Sequence, residues 1–137
     1  MATQYSIATR TAQMSQLIAT IGINAQIIIY SGTIPASVGA ALTGTLLAQF
    51  AGNATQFGTA TAGVLTASAV ASTTGLAGAG AGTVATHYRI NTSAGVAVSQ
   101  GTITGTGGGG DMILTNTSIA SGQACNFTSL TVTAFGA

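Results

Sequence analysis

A β-sandwich or jelly roll of seven to eight short strands, behind one N-terminal amphipathic helix, is the all-β fold class this sequence predicts. Three observations carry it. Apolar side chains recur at the helical period only in the opening segment, and from Gln26 onward the period is 2. Short runs rich in β-branched and aromatic residues then follow one another. Gly, Ser and Asn turns separate them at close spacing, as in sandwiches and barrels. No repeat of fixed period is visible, so a solenoid is not expected. The length of 137 residues fits one domain, with a helical segment over 1–24 and the sandwich over 25–137.

The helix is expected over 6–21. Ile7, Met14, Leu17, Ile18 and Ile21 fall within about 100° of arc at the α-helical period, a stripe wide enough to face a core. Gly22 stands where a C-terminal cap belongs. Arg10 projects into the same arc, between Leu17 and Ile21. Either the helix starts after it, or its stem covers apolar surface while the guanidinium reaches a partner.

Ile27-Ile28-Ile29-Tyr30 reads as a strand ended by Ser31-Gly32. Residues 33–44 hold the one proline, Pro35, with Gly39 and Gly44, and read as a long loop. Strands are expected over 45–51 and 63–72. Between 75 and 82 the run GLAGAGAG reads as a flexible connection, too rich in glycine for regular structure. Over 83–92, Val84, Tyr88 and Ile90 alternate with Ala85, His87, Arg89 and Asn91. Ser93-Ala94-Gly95 is a hairpin-length turn into a strand over 96–104. A glycine loop over 105–110, a strand over 112–115, a turn at Ser121-Gly122 and a last strand over 123–135 complete the chain.

Composition narrows the function. Ala, Thr, Gly and Ser supply 81 of 137 residues, and the charged side chains are Arg10, Arg89 and Asp111 alone. Binding of nucleic acid is excluded, because phosphate affinity needs several Lys and Arg contacts. Disorder by charge is excluded too, since the chain is 47% hydrophobic. One His, one Asp, one Cys and no Glu leave too few groups for a dyad, a triad or a metal cage, so neither an enzyme nor a cofactor or metal site is expected. A net charge of +1 leaves little self-repulsion, which suits a protein that works packed into an assembly.

Cys125 stands alone and reads as a buried small hydrophobe. The opening residues lack the basic and apolar regions of a signal peptide, so synthesis in the cytoplasm is expected and the Asn-X-Ser/Thr sequons at Asn53, Asn91, Asn116 and Asn126 carry little weight. The best apolar stretch, 17–30, is too short and too interrupted for a spanning helix, so no membrane is expected.

The run Thr106-Gly107-Gly108-Gly109-Gly110-Asp111 lacks the Lys and Ser/Thr of a phosphate loop and reads as a hairpin loop. Asp111 reads as a turn residue accepting backbone N–H bonds, and one carboxylate is too few for calcium. His87 and Arg89 share a strand face that is expected to be solvated or to touch a partner. Tyr5, Tyr30, Phe50, Phe57, Tyr88, Phe127 and Phe135 are spread through the elements and read as core plugs. Asp111 cannot pair with both arginines, so the one left over is either plainly solvated or meets a carboxylate on another protein.

The helix, the segment Ile29-Tyr30-Ser31-Gly32-Thr33-Ile34-Pro35-Ala36, the run 40–48 and the stretch Gly110-Asp111-Met112-Ile113-Leu114-Thr115-Asn116-Thr117-Ser118-Ile119 together resemble the capsid cement, or decoration, proteins of tailed phages. The resemblance covers most of the chain. It implies a jelly-roll-like antiparallel β-sandwich that oligomerises, as a dimer or trimer, on the outer surface of an icosahedral capsid in the virion. There it would bridge neighbouring major capsid protein subunits against internal DNA pressure. Contacts with the shell or with itself are expected at Arg10, Met14, Leu17, Ile34, Pro35 and Arg89. Two other readings fit the composition. One is a different virion part, such as a tail-tube, fibre or head-completion protein. The other is an adhesive or ice-binding module, although such a face would want regular Thr-X-Thr ranks on successive strands, of which Thr102-Ile103-Thr104 and Thr131-Val132-Thr133 are two isolated examples.

Overall fold

The computed structural model describes residues 2–68 and 72–136. The chain opens with α1 (Ile7–Ile21), capped by Ser6, whose Oγ accepts the N–H of Thr9 at 3.2 Å. Gly22 ends it at φ +72°, a conformation that favours glycine. Met14 and Ile21 are buried, with Leu17 and Ile18 packed against the core beside them. Ile7, in the first turn, is exposed and leaves the predicted stripe. Because α1 begins before Arg10, the first reading of that residue fails; its stem is half-buried as the second expects, but its Nε has no partner among the described residues. Its stem packs against the sheet, where a β-carbon on Gly63 would sit 2.7 Å from Arg10 Cβ.

The strands are β1 (Gln26–Tyr30), β2 (Leu46–Ala51), β3 (Val64–Thr66), β4 (Thr73–Thr74), β5 (Thr83–Val84), β6 (His87–Asn91), β7 (Ala97–Gly105), β8 (Met112–Leu114), β9 (Ser118–Ile119), β10 (Ala124–Cys125) and β11 (Phe127–Thr133). Seven of them form one sheet in the order β2-β1-β6-β7-β8-β11-β3, and β4–β10 and β5–β9 are two-stranded ribbons. The fold is therefore mostly β with one described helix. Two expected strands are each split in two. The run 83–92 breaks at Ala85-Thr86, and the run 123–135 breaks at Asn126. The strand expected over 63–72 is short, and residues 69–71 lie outside the described residues.

Register places Ile27 opposite both Phe50 and Ile90, and Ile29 opposite both Ala48 and Tyr88. Met112 lies opposite Ile103 on one side and Leu130 on the other. These side chains share one face and form the core with Leu65, Ile119 and Cys125. Burial pushes the Cys125 thiol pKa up to about 11, as fits a small hydrophobe.

The sheet curls around this core. Strands are spaced about 4.8 Å apart, so β2 and β11, five steps apart in the order, would lie about 24 Å apart if the sheet were flat. The rings of Phe50 and Phe127 instead meet edge-to-face at 5.2 Å. The β4–β10 ribbon spans the opening, with Thr73 Oγ1 donating to the Gln49 carbonyl on the edge of β2. Beside it, the segment expected to be flexible holds a 3₁₀ turn at Ala77–Ala79. Ala79 is fully buried and the Leu76 N–H donates to the Leu47 carbonyl at 2.8 Å. Glycine serves close approach there: a β-carbon on Gly75 would overlap the Ala120 carbonyl oxygen.

The sheet is mixed, which corrects the expectation of purely antiparallel pairing. β7 and β8 are parallel, with Ile103 opposite Met112. Parallel neighbours ordinarily need a crossover of about a dozen residues or more, and here the glycine loop over 106–111 suffices. Its backbone folds onto the strand it has just left. Gly110 N–H donates to Thr104 Oγ1, and Asp111 Oδ2 accepts from the Thr102 N–H and hydroxyl at 2.9 and 3.0 Å. A β-carbon on Gly110 would lie 2.9 Å from the Thr104 nitrogen. Asp111 is thus the acceptor the sequence predicts, but it caps the preceding strand and not its own turn.

Of the aromatics, Phe50 and Tyr88 are buried in the core and Phe57 and Phe127 pack against it, whereas Tyr5 and Phe135 are exposed and do not plug it. One buried side chain works against stability. Gln56 is 2% exposed, and neither atom of its amide has a partner among the described residues. Gln56→Met keeps the volume and removes both orphaned groups, so the urea midpoint should rise by the equivalent of about 1 kcal/mol. An unchanged or lower midpoint would show that the amide is satisfied in solution.

Candidate interaction surfaces

The face of the sheet opposite the core carries Ile28, Tyr30, His87, Arg89, Asn91 and Gln100, by alternation and register. It is covered by the loop over 32–44. The base of that loop is closed by Ser31 and Thr45. The Ser31 N–H donates to the Thr45 carbonyl at 3.0 Å, and the Thr45 N–H donates to Ser31 Oγ at 3.1 Å. Ends this close make it an Ω-loop. Arg89 Nη2 donates to the Ala40 carbonyl at 2.7 Å and Arg89 Nε to Gln100 Oε1 at 3.2 Å. Gln100 Nε2 in turn donates to the Pro35 carbonyl at 2.7 Å. Thr86 Oγ1 donates to the Gly32 carbonyl at 2.6 Å. Three polar side chains, Thr86, Arg89 and Gln100, thus hold the loop by its carbonyl groups.

His87 and Arg89 therefore do not form a solvated face. Their exposures are 0% and 7%, because a loop some fifty residues earlier in the chain folds over them. His87 stacks on Tyr30 with ring centroids 5.5 Å apart. Its Nδ1 lies 3.0 Å from Thr86 Oγ1. Since that hydroxyl gives its hydrogen to Gly32, we assign the proton to Nδ1, which leaves Nε2 as a buried acceptor without a donor. Burial, helped by the nearby Arg89 charge, lowers the His87 pKa. Burial raises that of Tyr30, with Arg89 opposing. Among the described residues no three or more His, Cys, Asp or Glu side chains are grouped to hold a metal.

The contact residues expected from sequence fall into two groups. Ile34, Pro35 and Arg89 come together at the Ω-loop, but only Ile34 is exposed, and Arg89 is an internal clamp. Met14 and Leu17 sit on α1 at the other face. Met14 is 8% exposed and belongs to the core, which removes it from the surface, while Leu17 is partly open. Arg10 is half-buried, with Nε shielded from water and unpartnered.

Beside Leu17 runs a groove of about 600 Å³ between α1 and the sheet, which the sequence did not announce. Tyr88 and Ser99 lie at its floor, Gln13 and Gln16 on the helix wall, Asp111 and Thr133 across from them, and Phe135 at its rim. Gly101, opposite Tyr88, leaves room for its ring. A β-carbon there would come within 2.6 Å of Tyr88 Oη and 2.7 Å of Asp111 Oδ2. Burial, with the Asp111 charge adding, raises the Tyr88 pKa, so the phenol stays protonated.

No helix among the described residues is long and apolar enough to cross a membrane. No family model, no curated protein and no solved structure matches this chain.

Proposed function

We propose that this chain is a structural virion protein that binds the outside of an icosahedral phage capsid and cements neighbouring major capsid protein subunits. The observation that carries the reading is an almost uncharged surface with large apolar side chains left in water. Arg89 is buried and Asp111 is held by Thr102, so two of the three charges are already engaged within the fold. Tyr5, Ile7 and Phe135 are 44%, 60% and 87% exposed. They gather where the termini meet, the Tyr5 N–H donating to the Gly136 carbonyl at 3.0 Å.

A cement needs area and not an active site. Interfaces of about 1,600 Å² bind without ion pairs when they are close-packed, and bridging two or three subunits adds avidity. The jelly-roll-like sandwich belongs to the same proposal. It is supported by a sheet curled until Phe50 meets Phe127, with the β4–β10 ribbon across the opening.

The test is co-sedimentation of the purified chain with capsid shells that lack it. Saturation at a fixed ratio to the major capsid protein is the expected result, and no co-sedimentation overturns the proposal. Arg10→Ala should weaken attachment about fivefold to tenfold, the loss of one charge-assisted contact, with the melting temperature of the free chain nearly unchanged. Equal occupancy by wild type and variant would remove Arg10 from the interface.

A further inference from the structure

We propose that the groove between α1 and the sheet binds a neutral saccharide, a site independent of the shell reading. The groove, at about 600 Å³, falls in the range of small-molecule sites and is concave. Its polar groups converge from separate elements: the amides of Gln13 and Gln16, the hydroxyls of Ser99 and Thr133, and the carboxylate of Asp111. One of them is unsatisfied. Gln13 Oε1 is shielded from water and has no donor among the described residues, a state that turning the amide onto a ligand hydroxyl would relieve. Asp111 receives both Thr102 bonds on Oδ2, so its Oδ1 lone pairs remain for a second hydroxyl. At the rim Phe135 is 87% exposed, an apolar ring placed to cover the C–H face of a sugar.

Other ligand classes fit less well. Neither Arg10 nor Arg89 lines the groove, so an anion would meet Asp111 with no cation beside it. A purely apolar ligand would match Met14, Leu17, Val98 and Val132 but would cover the amides of Gln13 and Gln16 and the hydroxyls of Ser99 and Thr133 without pairing them. An extended peptide could add only to the short open edge of β7 over 97–101, since β8 pairs with 103–105, and it would leave the helix amides and the carboxylate of the groove unused. Hydroxyls arrayed around apolar C–H faces answer the walls and the rim together.

The experiment is titration of the isotope-labelled full chain with maltotriose, cellobiose and N,N′-diacetylchitobiose, followed by amide NMR shifts, with glucose 6-phosphate as the anionic control. At least one neutral probe should move Gln13, Gln16, Ser99 and Thr133 together, with saturation near about 10 mM for a millimolar Kd. Gln13→Ala and Phe135→Ala should each weaken binding about tenfold, equivalent to one hydrogen bond or one covered ring, while the rest of the spectrum stays in place. Glucose 6-phosphate should leave the groove unmoved. The proposal is overturned if no neutral probe shifts the groove, or if both variants bind as wild type does. It is equally overturned if these signals move with protein concentration alone, which would make the groove a contact between copies.

Discussion

Gly44→Ala should lower the melting temperature by about 10 °C, from a loss of about 2–3 kcal/mol, while Gly39→Ala in the same loop should leave it within about 2 °C. The contrast follows from what each new β-carbon meets. At Gly44 it would overlap the carbonyl of Ser31, the residue whose N–H and hydroxyl make the two bonds that close the Ω-loop. Relief requires Ser31 and Thr45 to part, which lifts the loop from Arg89 and Gln100 and leaves a guanidinium and an amide without their carbonyl partners. At Gly39 no atom lies within 4 Å and no left-handed φ is imposed, so alanine adds only a small stiffening of the unfolded chain. Thermal unfolding of the two variants decides it. Equal melting temperatures would show that the loop is not clamped at its base.

Acidification from pH 7 to 5 should destabilise the protein through one residue. His87 is neutral in the fold, with a pKa below the ordinary 6.5. The unfolded chain therefore binds the extra proton between the lowered value and about 6.5. Stability is complete above that window and is lost as pH falls through it, by at most about 1.4 kcal/mol per unit. The groups facing the ring are Tyr30, Thr86, Arg89 and, across the strand, Thr102; none is a carboxylate that could pair with an imidazolium. A new proton on Nε2 would meet no acceptor beside a fixed guanidinium. With one carboxylate and one histidine in the whole chain, the background is unusually flat. His87→Phe keeps the stack on Tyr30 and should flatten the remaining slope when urea midpoints are compared across this range. A slope that persists in the variant, or is absent from the wild type, contradicts the assignment.

Much of the local structure was legible because it depends on neighbours in the chain. The 3.6 period and Gly22 mark α1, the isoleucine run marks β1, and Ser93-Ala94-Gly95 marks the β6–β7 hairpin. What was missed depends on distant segments. Alternation over 83–92 shows that one face is apolar, but it cannot reveal that residues 32–44 return to bury the polar face as well. Arg89 therefore read as a surface contact when it is a clamp. The glycine runs carried two meanings that composition does not separate. At 75–82 and 106–111 they permit close backbone approach, in one case enough to lay β8 parallel to β7. The groove was illegible for the same reason, since its walls come from the helix, β6, β7 and the residues around β8 and β11.

The account's central claim is that the chain works as a repeated part of a shell. Its copy number in purified virions, by quantitative mass spectrometry against the major capsid protein, tests that most directly. A ratio near one, or a simple fraction of it such as one half, is the predicted result. A ratio of a few per cent would assign it to the tail or a single vertex and contradict the cement role, and complete absence would contradict a virion role altogether.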